Sequence, residues 1–506
     1  MAAMTVAAVV SLLVCLFSSA VDSYELGMIN SVCDRVPFPD QCRFFLGQSP
    51  SNNNFFLQNN ALMVLLQLAQ TQALQGVTYV NSLGPRCRDQ REKAAWSDCV
   101  ELYQETQRKL ISINIFSGSG SVDSQTWLSA ALTNLDTCKN GFQDFGVTGN
   151  VFSLLSNNAS YMISNTLALG KPQPRQAKYV DGFPDWVKPG DRKLLQSSSV
   201  TPNVVVAQDG TGNYKTVGAA VDAAPGGSRF VIYVKAGTYD ENVEVTAKNV
   251  MLIGDGIGKT IITGSRSVGG GYTTFKSATV AVKGDNFIGR GITFRNTAGP
   301  QNHQAVALRS GSDLSVFYQC GFEGYQDTLY SHSQRQFYKN CDIYGTVDYI
   351  FGNSAVVIQD CNIYSRNPPN KINTITAHGR TDPNQNTGIS IQNCNVTADV
   401  GLSSAAKTYL GRPWKEYSRT VFMQSYLDSL INPAGWYPWS GNFALDTLYY
   451  GEYSNTGPGS STANRVKWKG YNVITSPSVA SQFTVSNLIA GDAWLPATGV
   501  PFKAGL

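Results

Sequence analysis

Cys320 to Gly352 reads CGFEGYQDTLYSHSQRQFYKNCDIYGTVDYIFG, and it carries one pattern twice. Cys320 is followed seven residues on by Asp327, and Cys341 seven residues on by Asp348. Phe322 and Ile343 hold the matching apolar positions, two after each cysteine. A repeat of 21 residues is too long for a hairpin and suits one coil of a solenoid. In a parallel β-helix, equivalent positions on successive coils stack at the strand spacing of about 4.8 Å. Asp327 is therefore expected against Asp348, and Cys320 against Cys341. Two carboxylates that close couple their titrations and make an acid and a base side by side. The plainer reading is a pair of turn aspartates capping backbone amides, and the flanking residues have to decide.

Outward from that stretch the rungs recur: NFIGRGITFRN, LSVFYQCGFEG, RQFYKNCDIYG, AVVIQDCNIYS, GISIQNCNVTA and RTVFMQSYLDS. Ile292, Phe322, Ile343, Ile363 and Val396 are read as the inward stack, with gaps of 30, 21, 20 and 33 residues. Such gaps describe near-constant coils with loops of variable length on one side, where a cleft forms. Upstream, RFVIYVKAGTYDENVEV, NVMLIGDG and TIITGS are strands between glycine turns. NVVVAQDGTGNYKTVGAAVDAAP starts with a valine run and ends in a short amphipathic helix. That helix is expected to cap the open end of the solenoid. The tail from about Gly470 is less regular and is expected to pack back across the coils.

The first half has another texture. FFLQNNALMVLLQLAQTQALQGV, WSDCVELYQETQRKLISI, VDSQTWLSAALTNLDTC and VFSLLSNNASYMISNTLAL each place apolar residues at helical spacing. Four such segments with short polar breaks predict an antiparallel helical bundle. CDRVPFPDQC, residues 33–42, is short and proline-rich and predicts a disulfide-closed hairpin between Cys33 and Cys42. Cys99 and Cys138 fall on different helices and are expected to tie them together, leaving Cys87 free. Stacking predicts Cys320–Cys341 and, across a longer coil, Cys361–Cys394.

A chain of 506 residues exceeds one ordinary core. Only 15% of residues are charged while Gly (47) is plentiful, which fits a glycine-punctuated β fold. A net charge of +4 admits an anionic substrate but offers no basic patch of nucleic-acid type. Residues 1–23 contain an uncharged apolar run, with the first charge at Asp22. It reads as a secretory signal ending near Ser19–Ser23. No Lys or Arg precedes it, and at roughly 18 residues it is also long enough for a membrane anchor; the cleaved signal is preferred. Secretion makes the cysteines candidate disulfides and the sequons at Asn158 and Asn395 candidate glycosylation sites. Residues 176–200 are a linker of Pro, Gly, Lys and Arg that holds Arg192-Lys193-Leu194-Leu195. The domains are thus set at 24–175 for the bundle and 201–506 for the solenoid.

CDRVPFPDQC, AAWSDCVELY and TWLSAALTNLDTC resemble the invertase and pectin-methylesterase inhibitor family, a secreted four-helix bundle. GYQDTLY and GTVDYIFG resemble the two signature motifs of the plant pectin methylesterases. Three further segments agree: the Gln-bearing strand at His303–Arg309, the Arg/Trp element Leu410-Gly411-Arg412-Pro413-Trp414, and the early strand at Thr273–Phe275 and Ser277–Thr279. The resemblance implies a right-handed parallel β-helix behind an all-α pro-region, and an enzyme of the plant cell wall. It further implies that the chain hydrolyses methyl esters of homogalacturonan to pectate and methanol, and that Arg192–Leu195 is a protease processing site. The pro-region is expected to inhibit or retain the enzyme until cut, with the attached domain and a partner enzyme both open as its target.

Residue by residue, the resemblance makes Asp348 the nucleophile and Arg412 the group that orients it. Asp327 becomes the proton donor and later acceptor. Gln304 and Gln326 supply N–H donors to the oxyanion. Thr274, Gln304, Arg412 and Trp414 contact substrate, and Phe351 adds a flat surface. No metal or organic cofactor is required: three His are present, with no HExxH and no Gly-x-Ser-x-Gly elbow. His378 is read as a coil-surface residue. The expected partners are pectin, the processing protease and inhibitor-family proteins, with no nucleic acid, and the chain is expected to act as a monomer. A pectin-chain depolymerase is the rival on the same scaffold, since paired carboxylates also suit a retaining glycosidase. A non-catalytic carbohydrate-binding or inhibitor protein is the rival from another class, opposed by the five polar residues all being present.

Overall fold

The computed structural model describes residues 27, 29–47, 54–113, 122–170, 179–180, 183–184 and 201–506. The apolar N-terminal run and Arg192–Leu195 lie outside them. No helix among the described residues is long and apolar enough to cross a membrane.

The first half is helical. Helix α1 spans Pro39–Gly47, α2 Asn54–Ser82, α3 Gln90–Ser112, α4 Val122–Asp144 and α5 Asn158–Leu169. Cys33–Cys42 is bonded, but not as a hairpin. Residues 29–33 are helical and Pro39 opens α1, because proline at the first helical position costs no hydrogen bond. Cys99–Cys138 joins α3 to α4, and Cys87 is a free thiol. The segment read as one helix over 151–169 is two, Val151–Leu154 and α5. Leu155 is extended at φ −65° and ψ 120°, and the chain turns through Ser156 and Asn157 into the second piece.

The second half is a parallel β-helix of three sheets with eleven, eight and seven strands among the described residues. Each full coil gives one strand to each sheet, and the end turns add strands to the eleven- and eight-stranded sheets. In the eight-stranded sheet the inward stack runs Ile262, Phe294, Phe322, Ile343, Ile363, Val396 and Leu427. Phe294, not Ile292, is the residue in register with Phe322. The spacing there is 28 residues, and a tight turn at Gly291 (φ +64°) separates Ile292 from the preceding strand. Asp-, Asn- and Gln-bearing corners at Gln319, Asn340, Asp360, Asn393 and Gln424 all take positive φ between 52° and 54°. Polar residues with short side chains tolerate that backbone best, and the shared corner keeps the coils alike while loops elsewhere vary.

Inside the corner stand the cysteines, and the expected Cys320–Cys341 and Cys361–Cys394 bonds are absent. All four are buried thiols. Cys361 Sγ accepts from the Cys341 N–H at 3.2 Å, and Cys394 Sγ from the Cys361 N–H at 3.4 Å. These sulfurs thus face backbone N–H groups of the neighbouring coil instead of a second sulfur at bonding distance. The helix Val217–Asp222 buries Val217, Ala220 and Val221 over the first coil. Its N-terminal N–H groups are held by the Glu241 carboxylate at 2.9 Å, where the helix dipole favours an anion. The tail packs Val485, Leu488, Trp494 and Leu495 on Val316, Phe337 and Val357, as its position after the last coil predicts.

The bundle rests on the outer face of the seven-stranded sheet. Ala281, Tyr330, Phe351 and Ala377 of that face share a core with Leu102, Leu128, Leu135 and Cys138 of the bundle.

Candidate active site

Successive strands of the seven-stranded sheet carry the polar groups of the cleft and the threonine that supports one of them. Gln304 precedes Leu308–Ser310, and Gln326 with Asp327 precedes Leu329–Ser331. Asp348 lies in Val347–Gly352, Thr374 in Ile372–His378, and Arg412 follows Lys407–Gly411. Leu329 pairs with Ile350 and Tyr330 with Phe351, an offset of 21 that sets Asp327 against Asp348 as the repeat demands. The Asp327 N–H donates to the Val347 carbonyl at 3.0 Å.

Both aspartates sit at positive φ, 62° for Asp327 and 52° for Asp348. The pairing of Val347–Gly352 with Ile372–His378 slips between Val347 and Ile350, so Asp348 stands on a bulge. Bulges and left-handed side-chain-bearing residues aim groups that a flat strand would turn away. Gly352 (φ +130°) closes the strand where a Cβ would come within 2.0 Å of the Ser331 carbonyl.

Arg412 grips Asp348 through both carboxylate oxygens: Nε lies 2.8 Å from Oδ1 and Nη2 2.6 Å from Oδ2. Thr374 Oγ1 donates to Asp348 Oδ1 at 2.6 Å and accepts from the Asp348 N–H at 3.0 Å. Asp327 has no such partner among the described residues. Burial, then the neighbouring Asp348 and Asp144, push its carboxyl well above the usual range, with Arg412 only partly opposing them. The pair therefore splits into an arginine-bound carboxylate and a carboxyl that keeps its proton.

Gln304 and Gln326 line the same cavity of about 340 Å³, with Thr274, Phe351, Arg412 and Trp414. No side-chain hydrogen bond among the described residues occupies either glutamine amide. Two expectations about local structure change. Thr273–Phe275 is a turn, not a strand, and Gln304 stands in the loop ahead of its strand. His378 is fully buried, not on a coil surface; its Nδ1 accepts from the Arg419 N–H at 3.1 Å. It lies outside the cleft lining.

Three participants were missed in the sequence. Trp439 lies under the Arg412 guanidinium, 4.3 Å from ring centre to Cζ, and Thr374 supports Asp348. The third is α4, which lines the cavity with Thr137, Asn140, Gly141, Gln143 and Asp144. Asp144 Oδ2 accepts from the Thr274 N–H at 2.8 Å, and Lys415 Nζ donates to Asn140 Oδ1 at 2.8 Å. No motif marks these residues; only the stacking of distant coils and the docking of the bundle bring them in.

The pectinesterase family model matches residues 203–492, more than half of the chain. The chain belongs to the pectinesterase family. Residues 27–169 match the plant invertase/pectin methylesterase inhibitor model, so the inhibitor-like bundle precedes the pectinesterase part. "Pectinesterase 2" of Citrus sinensis is 62% identical over 503 residues, covering 98% of each chain. "Probable pectinesterase/pectinesterase inhibitor 17" of Arabidopsis thaliana is 58% identical and covers 97% of each. Among solved structures, pectin methylesterase from carrot is 60% identical with a TM-score of 0.60. It is covered over its full length by 62% of this chain, a share close to that of the pectinesterase part.

Proposed function

We propose that this pectinesterase-family chain removes methyl groups from methyl-esterified homogalacturonan through a covalent aspartyl intermediate. The observation that carries the reading is the asymmetric pair: Asp348 clamped by Arg412 and Thr374, beside a buried Asp327 whose carboxyl is pushed well above its usual range. Asp348 attacks the ester carbonyl carbon, and the tetrahedral oxyanion receives N–H donors from Gln304 and Gln326. As the C–O bond to methoxide breaks, Asp327 delivers its proton and methanol leaves. The acyl-enzyme is an anhydride between Asp348 and the sugar carboxyl. Asp327, now a carboxylate, takes a proton from water as that water attacks, which frees the acid and restores Asp348. Phe351, Trp414 and Trp439 give the flat walls a sugar chain needs.

The bundle acts in cis in this reading. With Asn140, Gly141, Gln143 and Asp144 of α4 lining the cleft, the bundle stands where a polymer of sugars would lie, and the full chain is read as a latent form. Release follows cutting after Leu195, in the secretory route or at the wall, where its substrate lies. Methyl-rich pectin incubated with the full chain and with the cut enzyme tests this directly. Methanol and acid without new reducing ends, from the cut form alone, are expected. New reducing ends point to chain cleavage, and silence from folded, cut protein points to a binding role.

A further inference from the structure

Arg309 is the outward residue one coil from Tyr330 and two from Phe351 on the sheet that carries the cleft. It is fully buried, and its Nε and Nη2 have no hydrogen-bond partner among the described residues. The guanidinium carbon lies over Phe275, 3.5 Å from the ring centre. Lys283 and Lys276 flank it. Each binds Glu101 of α3, at 2.8 and 2.7 Å, and each also binds Glu244 of the β-helix, at 2.6 and 3.0 Å. Glu101, Arg309, Phe275 and Lys283 close together around a remnant cavity of about 30 Å³. Burial raises the Glu101 carboxyl, but Arg309, Lys276 and Lys283 outweigh it and bring it down to about 2.

A guanidinium with free N–H groups and two lysines faces one carboxylate that belongs to the removable half of the chain. Asp98 and Glu105 of α3 are also near, and both leave with the bundle. Among these groups, the exposed β-helix then keeps Arg309, Lys276 and Lys283 against Glu244 alone. Three cations against one carboxylate, with Arg309 N–H groups left open, beside a cleft that shares Phe275 with them, make a site for a second carboxylate.

We propose that Arg309, with Lys276 and Lys283, is a carboxylate-binding subsite of the released β-helix, and that Glu101 fills it in the full chain. Its ligand is a de-esterified galacturonate of the polymer, bound about 10 Å along the coil axis from Asp348, two strand spacings away. The choice of ligand rests on the reading of the cleft as a pectin site. A chain already bearing free acid groups is thereby held with its next ester towards the aspartate pair.

Fully de-esterified galacturonate hexamer is the probe, because it has no ester to turn over and reports binding alone. Calorimetric titration compares the full chain with protein cut in the linker and freed of its bundle. The freed β-helix is expected to bind the hexamer with an affinity that falls as salt rises, and the full chain is not. Arg309→Gln should weaken binding about tenfold, Arg309→Lys should recover part of it, and Lys276→Gln with Lys283→Gln should weaken it by a similar factor. Wild-type affinity in folded Arg309→Gln overturns the proposal. If Arg309→Gln does not fold, wild-type affinity in the lysine pair overturns it instead. Equal binding by full chain and freed enzyme overturns it too. Methanol release without hexamer binding removes the subsite and leaves the esterase reading standing. Hexamer binding without methanol release does the reverse.

Discussion

Asp327 and Asp348 hold equivalent places on adjacent coils, both in left-handed backbone, yet Arg412 bonds only Asp348. Their amide variants are expected to differ accordingly. Asp348→Asn cannot form the anhydride, and methanol release should fall to background while the protein stays folded. Asp327→Asn loses the proton donor, worth about 10²–10⁴ in rate, and the loss should shrink for esters with better leaving groups than methoxide. Substantial activity in folded Asp348→Asn removes it as nucleophile; an equal loss for every leaving group makes Asp327 a positioning group.

Thr374→Val tests the support under Asp348. A hydrogen bond to a charged group contributes about 1.5–3 kcal/mol, so kcat should drop roughly ten- to a hundredfold. KM should change little, since Thr374 is not a lining residue of the cavity. An unchanged kcat shows that Arg412 alone fixes the carboxylate.

Contact between bundle and β-helix should loosen as pH rises. Burial pushes the Asp98 carboxyl up to about 7 and that of Asp144 up to about 6. Asp98 bonds Thr273 and faces Lys276, Glu101 and Arg309; Asp144 bonds Thr274 and faces Lys415 and Asp327. Groups with raised values in the docked state favour docking fully below their ordinary carboxyl range, and that contribution is lost as pH climbs through the docked values. Glu101 runs the other way, but its contribution fades only between its ordinary 4.5 and about 2. Protein cut in the linker should therefore stay as one species near about pH 5 and separate at about pH 7.5 on a sizing column. Asp98→Asn with Asp144→Asn should flatten that dependence, and an unaltered profile rejects these carboxyls as its source.

Processing can be read from size. Arg192→Ala with Lys193→Ala should leave a full-length chain that releases little methanol. A normal-sized, active mature enzyme from that variant rules out the linker site.

The thiol ladder predicts a count. After unfolding without reductant, Cys87, Cys320, Cys341, Cys361 and Cys394 should take up alkylating agent, while Cys33, Cys42, Cys99 and Cys138 should not. A peptide joining Cys320 to Cys341 contradicts it.

The coil repeat was legible in the sequence because Cys320–Asp327 and Cys341–Asp348 share a spacing that only stacking makes meaningful. The offset of 21 gave the aspartate pair its register. It did not give the direction of side chains, so stacked cysteines were mistaken for bonded ones. Where loops vary, register blurs: Phe294 took the place expected of Ile292. Thr374 and Trp439 escaped because each follows a loop of its own length. Asp144 and Glu101 escaped because docking of one half on the other has no local pattern.

Five consecutive strands of one sheet build the site: Gln304, Gln326 with Asp327, Asp348 and Arg412 line the cleft, and Thr374 supports Asp348. No one segment holds a working fragment of the site. Parallel coils pair late, since each contact must first close a loop of twenty residues or more. A nascent chain thus has no esterase chemistry until its rungs have zipped in the right register. Slippage by one coil would leave a well-hydrogen-bonded solenoid with its arginine facing the wrong neighbour. Hydrolytic turnover is then a more exacting gauge of correct winding than any spectroscopic measure of β content.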